Sequence, residues 1–492
     1  MNKNKIFFTP NQDNDNQEKD IQDHERENER ENERENEREN ERERENLFKF
    51  KQRSDLSLDF GKLADNIYRD NKDKNAVEID MKENNLLNQG GYGCVYHPAI
   101  QCEDGKNKKI VKEKASEYIS KIQFDDKSSR NEIEISNIIK NISNYNNFFA
   151  PIVSYCSINI NRIDKSLTDV YGDKCGIYEK EKRKNDPFIM VSVPYIKDGN
   201  FNKNIVSNKK KFSLINLIDT YKHLLNAVLL LQYSDIIHYD LKADNILFNK
   251  VKKQPVVIDF GLSINFKEIN KLTRMSDGKN SIKKLTPEIE KLLSSKFYVF
   301  APDYYLWCIE IHTISYLLDS KDNRLDSASI KLITTEYVKN NKGFAMFDND
   351  FKYQYTRSAE KFLSQYQSQP RDKIILSLLK YYKTWDIFSL NIMYLKMLFN
   401  IFGTQTNKVT LFLYKLFLKN INPDPNKRNT INDTLNELFD LYSNENTKID
   451  EIIKLFDGLD INNVTVMRAF VKDQSHYDSV IESFKTRERI NN

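Results

Sequence analysis

Apolar and polar positions alternate or recur at helical spacing over most of the chain. Tyr118-Ile119-Ser120-Lys121-Ile122 alternates as a half-buried strand does, and Phe124-Asp125-Asp126 then turns towards a helix. That helix is predicted from about Ser128 to Ile142, with Ile135, Ile138, Ile139 and Ile142 on one face. Phe148 to Ile160 reads as a strand pair, Asn161 to Asp186 as a polar loop, and Pro187 to Tyr195 as a buried strand. From Phe212 to Tyr233 the spacing is helical again (Ile215, Ile218, Leu225, Val228, Leu229), and it ends before Ser234-Asp235. Helical spacing returns in Trp307 to Leu318 and Ile374 to Tyr381, and an amphipathic piece near the end carries Ile452, Ile453, Leu455 and Phe456.

At the centre, two β-rich apolar runs flank a turn of polar groups. Ile237-His238-Tyr239-Asp240-Leu241-Lys242-Ala243-Asp244-Asn245-Ile246-Leu247-Phe248 is followed by Val256-Val257-Ile258-Asp259-Phe260-Gly261. Such a layout holds oxygen ligands and one cation at the rim of a rigid sheet. Mg²⁺ prefers few protein carboxylates plus phosphate oxygens, so Asn245 and Asp259 are a candidate metal pair. Asp240 is left free as a base, and Lys242 stands near to balance charge on a transferring phosphate. An ordinary buried hairpin would have to explain four polar groups held between apolar strands.

This stretch resembles the catalytic loop and Asp-Phe-Gly of eukaryotic-type Ser/Thr protein kinases, with Tyr239 where the family has Arg. The resemblance implies an α+β, bilobal protein-kinase-like fold with a small β-rich N-lobe (about 86–196) and a larger helical C-lobe (about 197–441). It implies ATP as substrate, Mg²⁺ as cofactor and a protein carrying Ser or Thr as acceptor. Asp240 and Lys242 would be catalytic, and Asn245 and Asp259 would hold the metal. Leu87-Asn88-Gln89-Gly90-Gly91-Tyr92-Gly93-Cys94-Val95-Tyr96 resembles the glycine-rich loop, with Asn88 in place of the first Gly. Gly90 and Gly93 would let backbone approach the phosphates, and Val95 would cover the adenine. A Rossmann turn fits less well, because Val95-Tyr96-His97-Pro98 continues as strand and then breaks without a helix.

Two lysines compete for the strand position, Lys112 and Lys121. The cleaner alternation around Lys121 favours it, with Glu132 as its helix partner and Glu134 pointing elsewhere. By the same resemblance Val193 would be the gatekeeper, and Pro194 to Ile196 the linker between lobes. A polar activation segment would follow Gly261 and close at Phe300-Ala301-Pro302-Asp303, where Asp303 is expected to pair with Arg428 of Asp424-Pro425-Asn426-Lys427-Arg428. Asp386 would brace the catalytic loop, and the residues from Tyr304 to Tyr382 would form a helical insertion packed on the C-lobe. The glycine-rich start, the Ala-Pro-Asp with its insertion and the Asn/Lys/Ile-rich composition are similar to kinases of giant DNA viruses of amoebae.

Composition adds boundaries. Residues 1–85 read as a low-complexity region and linker, with a Glu-Arg-Glu-Asn unit repeated from Glu25 to Asn46 and no apolar face to bury. Residues 442–492 read as a helical extension. A net charge of +4 over 492 residues makes no case for a nucleic-acid or membrane partner. Five scattered cysteines without a Cys-x-x-Cys pair suggest reduced thiols and no zinc module. No secretory signal or bilayer-length apolar run is apparent, so a cytoplasmic location is expected (host cytoplasm or virion, if the source is viral). Two other functions share these residues: a pseudokinase scaffold, and a kinase of a small molecule or lipid.

Overall fold

Strands lead and helices follow. In the computed structural model the described residues are 85–90, 93–100, 115–158, 187–197, 199–206, 210–274, 285–297, 300–320, 324–403 and 408–443. Strands β1 (Asn85–Gly90), β2 (Gly93–His97), β3 (Tyr118–Phe124), β4 (Ser154–Ile158) and β5 (Phe188–Pro194) form an antiparallel sheet in the order β1-β2-β3-β5-β4. Helix α1 (Lys127–Ile139) leaves β3 through Asp126, whose side chain accepts the Ser129 amide as an N-cap.

The predicted alternation of β3 decides what each face carries. Ile122 joins Cys94, Tyr96, Cys156, Phe188 and Met190 in a core on one side. Ile189 and Val191 of β5 meet Ile133 of α1 and Ile152 on the other. Lys121 is paired with Val95 and Val191, so it lies on the α1 side. Gly93 is required by the sheet itself: a Cβ there would come within 2.6 Å of the Ile122 carbonyl oxygen. Two expectations need correction here. Among the described residues only Ser154–Ile158 of the supposed strand pair is a strand, because Phe149 bridges Val257 outside the sheet instead. Cys94 and Cys156 are disulfide-bonded, whereas Cys308 is free and buried. An odd cysteine count leaves one thiol over without requiring that the others stay reduced.

The second part runs α2 (Phe201–Ile205), α3 (Lys210–Tyr233), β6 (Ile236–Ile237), β7 (Ile246–Asn249), β8 (Gln254–Val257), β9 (Ile264–Asn265), α4 (Phe266–Arg274), α5 (Pro287–Lys296) and α6 (Ile309–Asp319). It ends with α7 (Ser327–Asn340), α8 (Asn349–Ser364), α9 (Arg371–Leu379), α10 (Trp385–Phe402), α11 (Lys408–Asn420) and α12 (Ile431–Ser443). Helix α3 is long and apolar enough over Ser213–Tyr233 to cross a membrane by length and composition, which the sequence reading overlooked. Most of its apolar side chains are instead covered by protein, with Leu214, Leu217, Tyr221, Leu224 and Leu225 fully buried. Tyr221 donates to Asn391 at 2.7 Å and Tyr394 donates to Thr220 at 2.8 Å, which joins α3 to α10 by buried hydrogen bonds.

The segment after Gly261 is not simply polar loop, since it contains β9, α4 and α5. The expected Asp303–Arg428 pair does not form. Arg428 donates instead to both carboxylate oxygens of Glu310, at 2.7 and 2.8 Å, and neither side chain is exposed to solvent. Asp303 is exposed on its turn and needs no partner. Glu310 lies within an apolar run at the start of α6, so it must be buried and must find a cation there. Burial pulls the Arg428 pKa down, but Glu310 outweighs it and holds the guanidinium charged.

The helices beyond Glu310 pack on one another: α6 touches α7 and α9, and α7 lies along α8. Phe344, Phe347, Phe351 and Tyr355 cluster between them, and the Tyr355 hydroxyl donates to the Ile421 carbonyl at 2.6 Å. Removing one member of a buried ion pair strands the other. We therefore expect Glu310→Gln to lower unfolding free energy by about 3–5 kcal/mol in urea titrations, whereas Asp303→Asn should change it by less than about 0.5 kcal/mol.

Candidate functional site

The polar turn is built on a carboxylate supplied from far along the chain. Asp386, at the start of α10 and fully buried, accepts the amides of His238 at 2.7 Å and Tyr239 at 3.0 Å. Burial pushes its carboxyl up, and His238 and the two amides pull it only partly back. With those amides fixed, Tyr239 takes a left-handed backbone (φ 69°), which a bulky residue adopts only when its surroundings impose it. The next residue, Asp240, is thereby turned into the space in front of the loop. On the other side β6 pairs with β9, and Ser263 donates to the His238 carbonyl at 3.2 Å.

Asp240 is 7 % exposed, and its Oδ2 accepts both Lys242 Nζ at 2.8 Å and Asn245 Nδ2 at 2.9 Å. Asn245 Nδ2 also reaches the Asp240 carbonyl at 2.9 Å, so the amide's orientation is determined and its Oδ1 faces away from Asp240. The Asn245 carbonyl accepts the Ile258 amide at 2.9 Å, which places Asp259 one residue beyond this tie. Asp259 is exposed with φ 62°, a second enforced left-handed residue beside the turn. An amide oxygen and a carboxylate, both hard oxygen donors, fit a magnesium ion that takes its remaining ligands from phosphate and water. Among the described residues there is no cluster of three or more His, Cys, Asp or Glu able to hold a metal.

The sheet contributes the opposing charge. Lys121 Nζ donates to Glu132 Oε2 at 3.3 Å, and Gln123 Nε2 supports the same oxygen at 3.3 Å. Burial lowers the Lys121 pKa, but Glu132 and then Asp259 raise it more, so the ammonium stays charged. Burial lifts the Glu132 carboxyl, with Lys121 opposing. Glu134 is exposed, in line with the helix stripe, and Lys112 lies outside the described residues. Val95 stands opposite Lys121 on the same face, and Val193 opposite Ile119. Pro194 closes β5, and the half-buried Ile196 follows in the connection to the second part. Asn88, Gln89 and Gly90 pair with Val95, Cys94 and Gly93, whereas Gly91 and Tyr92 lie outside the described residues.

Several groups that shape this site were not foreseen. Asn131, next to Glu132, donates Nδ2 to the carbonyls of Gly261 at 3.0 Å and Ser263 at 2.9 Å, and its Oδ1 accepts Lys296 Nζ at 2.7 Å. Trp307 donates Nε1 to the Tyr239 carbonyl at 2.9 Å and lays its ring on Tyr239, with centroids 4.7 Å apart. Tyr304 donates its hydroxyl to Asp240 Oδ1. Spacing within a motif carries no trace of such partners. Only Glu310 had a visible sign, an acid enclosed by Ile309 and Ile311.

Residues 175–336 match the sequence model of a family described as protein tyrosine and serine/threonine kinase. That range contains the polar turn and Asp259, and it leaves out Lys121, Glu132 and Asp386. The chain is similar to protein kinases. A probable serine/threonine-protein kinase of Dictyostelium discoideum is 33% identical over 138 residues, covering 25% of this chain and 20% of the relative. A serine/threonine-protein kinase of Saccharomyces cerevisiae is 29% identical over 102 residues, covering 21% of this chain and 12% of the relative. The matches thus span a fifth or less of each relative's length.

The bracing role of Asp386 is open to direct measurement. Asp386→Leu would leave the His238 and Tyr239 amides buried without acceptors, at a cost of about 1–3 kcal/mol each. We expect faster hydrogen exchange at residues 238–240 in that variant, with α7 and α8 unaffected. Unchanged protection of those amides would show that the loop is held by something else.

Proposed function

We propose that this chain transfers the γ-phosphoryl group of ATP to serine or threonine hydroxyls of a protein. The observation that carries the reading is Asp240, whose Oδ2 is held by Lys242 and Asn245, in a chain that also carries a Lys121–Glu132 ion pair. Such a carboxylate can take a proton from an attacking hydroxyl. Lys242, already at hydrogen-bond distance, offsets negative charge as the phosphoryl group moves. Lys121, kept protonated by Glu132, would hold the α- and β-phosphates. The turn from Asn88 through Gln89, Gly90, Gly91, Tyr92 and Gly93 would cover them, and Val95 and Val193 would flank the base beside Pro194 and Ile196. Mg²⁺ held by Asn245 and Asp259 would neutralise phosphate charge. The Asp-Leu-Lys-x-x-Asn order of residues 240–245 favours Ser and Thr acceptors over Tyr in an external substrate. A cytoplasmic setting completes the proposal.

Radiolabelled ATP with a generic basic protein tests it. Asp240→Asn should reduce turnover by about 10²–10⁴-fold, a barrier increase of roughly 3–5 kcal/mol. Lys121→Met should lose activity as well, and Lys112→Met should retain it. Full turnover by Asp240→Asn would remove Asp240 from the role, and phosphotyrosine as the sole labelled product would refute the acceptor class.

Tyr239 bears on regulation. Its ring is buried against Trp307 and Phe297, with centroids 4.7 and 5.7 Å apart, where an arginine could have received a phosphate. The segment carrying α5 and Trp307 is therefore held by aromatic packing. We expect a phosphatase specific for phosphoserine and phosphothreonine to change activity by less than about threefold, since no arginine clamp stands at 239. A large loss would mean that a phosphate is needed after all.

A further inference from the structure

Asp259 is exposed, so burial does not fix its carboxylate, and its left-handed backbone must be imposed from outside. The chain is tied on both sides of it. Before it, the Ile258 amide donates to the Asn245 carbonyl at 2.9 Å. After it, the Gly261 and Ser263 carbonyls accept Asn131 Nδ2 at 3.0 and 2.9 Å, and Ser128 Oγ donates to the same Gly261 carbonyl at 3.3 Å. This approach needs the glycine, because a Cβ at 261 would lie 2.9 Å from Ser128 Oγ. One tie therefore comes from the other candidate metal ligand, and the second comes from α1.

The Asn131 amide can face only one way. Its Oδ1 accepts Lys296 Nζ at 2.7 Å, and turning the amide over would set its NH₂ against an ammonium and its oxygen against two carbonyls. Lys296, at the end of α5, thus selects the orientation in which Asn131 donates. The next residue of α1 is Glu132, about 100° further round the helix, and it holds Lys121. Consecutive positions on one helix therefore serve the ammonium of the sheet and the segment that carries Asp259.

We infer that Asn131 is a positioning residue for the metal: through the Gly261 and Ser263 carbonyls it holds Asp259 where it can share a nucleotide-bound Mg²⁺ with Asn245, and Lys296 orients it for that task. This rests on the reading above. Without the two donors Asp259 is tied only through Ile258, and its carboxylate samples more positions. The loss falls on metal binding. Lys121 keeps Glu132, so contact with the phosphates in the absence of metal is preserved.

Calorimetric titration of the full chain with ADP, over a series of Mg²⁺ concentrations and in EDTA, tests this without relying on turnover. Asn131→Asp keeps an acceptor for Lys296 and removes both donors. Two net hydrogen bonds correspond to roughly tenfold to thirtyfold in an equilibrium constant. The Mg²⁺ concentration for half-maximal enhancement of ADP binding should therefore rise at least about tenfold, while affinity in EDTA changes less than about threefold. Should Asn131→Asp fail to fold, Lys296→Met carries the test, with an expected rise of about threefold or more. An unchanged Mg²⁺ requirement in the folded variant overturns the inference and leaves the proposed function standing. Equal weakening with and without Mg²⁺ also overturns it, since that is a general loosening of α1. No ADP binding by the unmodified chain in Mg²⁺ sinks the proposed function and this inference with it.

Discussion

A buried carboxylate receiving two consecutive backbone amides is the contact from which the site is measured. Asp386 is fully buried at the start of α10, so its carboxylate needs hydrogen-bond donors in place of lost water. His238 and Tyr239 satisfy it, and in doing so lose the freedom to relax into ordinary backbone geometry. The left-handed turn at Tyr239 follows, and with it the direction of Asp240. Helix α10 is a dependable base because it is itself tied to α3 by Tyr221–Asn391 and Tyr394–Thr220. The placement of Asp240 is therefore referred to two helices with largely buried side chains.

The packing around that turn also explains how a tyrosine serves at position 239. A charged side chain there would need a partner of opposite charge, and a phosphate would supply one only when present. A ring needs only neighbours of the right shape, and Trp307, Phe297 and, one contact further, Trp385 provide them. Trp385 immediately precedes Asp386, so the aromatic contacts and the carboxylate brace converge on one turn of α10. The order of the segment from α5 to Trp307 depends on burial that is always present, and on no added charge. Glu310 with Arg428 closes the same segment at its far end, again with groups wholly removed from solvent.

How much of this could be read from sequence depended on range. The turn from His238 to Asn245 was legible because its groups interact over a few residues, so their order in the chain almost specifies their geometry. The Lys121–Glu132 pair, eleven positions apart, was reachable through strand alternation and helix stripe together. The partner of Arg428 was not. Asp303 follows an Ala-Pro dipeptide, which by resemblance makes it the partner, whereas burial decides the matter. Asp303 can remain in water, and Glu310 cannot. Asn131, Trp307 and Tyr304 left no periodic signal, because each acts through contacts to groups more than sixty positions away.

Asn131 has the furthest reach of these. Its amide donates to the Gly261 and Ser263 carbonyls in the segment after Asp259, its oxygen accepts Lys296 of α5, and its neighbour in α1 is Glu132. A net hydrogen bond is worth about 1 kcal/mol, and one from a charged donor about 1.5–3 kcal/mol. Two such contacts couple α1 to the Asp259 segment by about 2 kcal/mol and a third ties α1 to α5, comparable to the differences that separate populated from rare conformations. A shift of α1 large enough to part Glu132 from Lys121 would break them together. The sheet's ammonium and the carboxylate at Asp259 therefore keep or lose their mutual placement as one event, and a single amide side chain makes them one site.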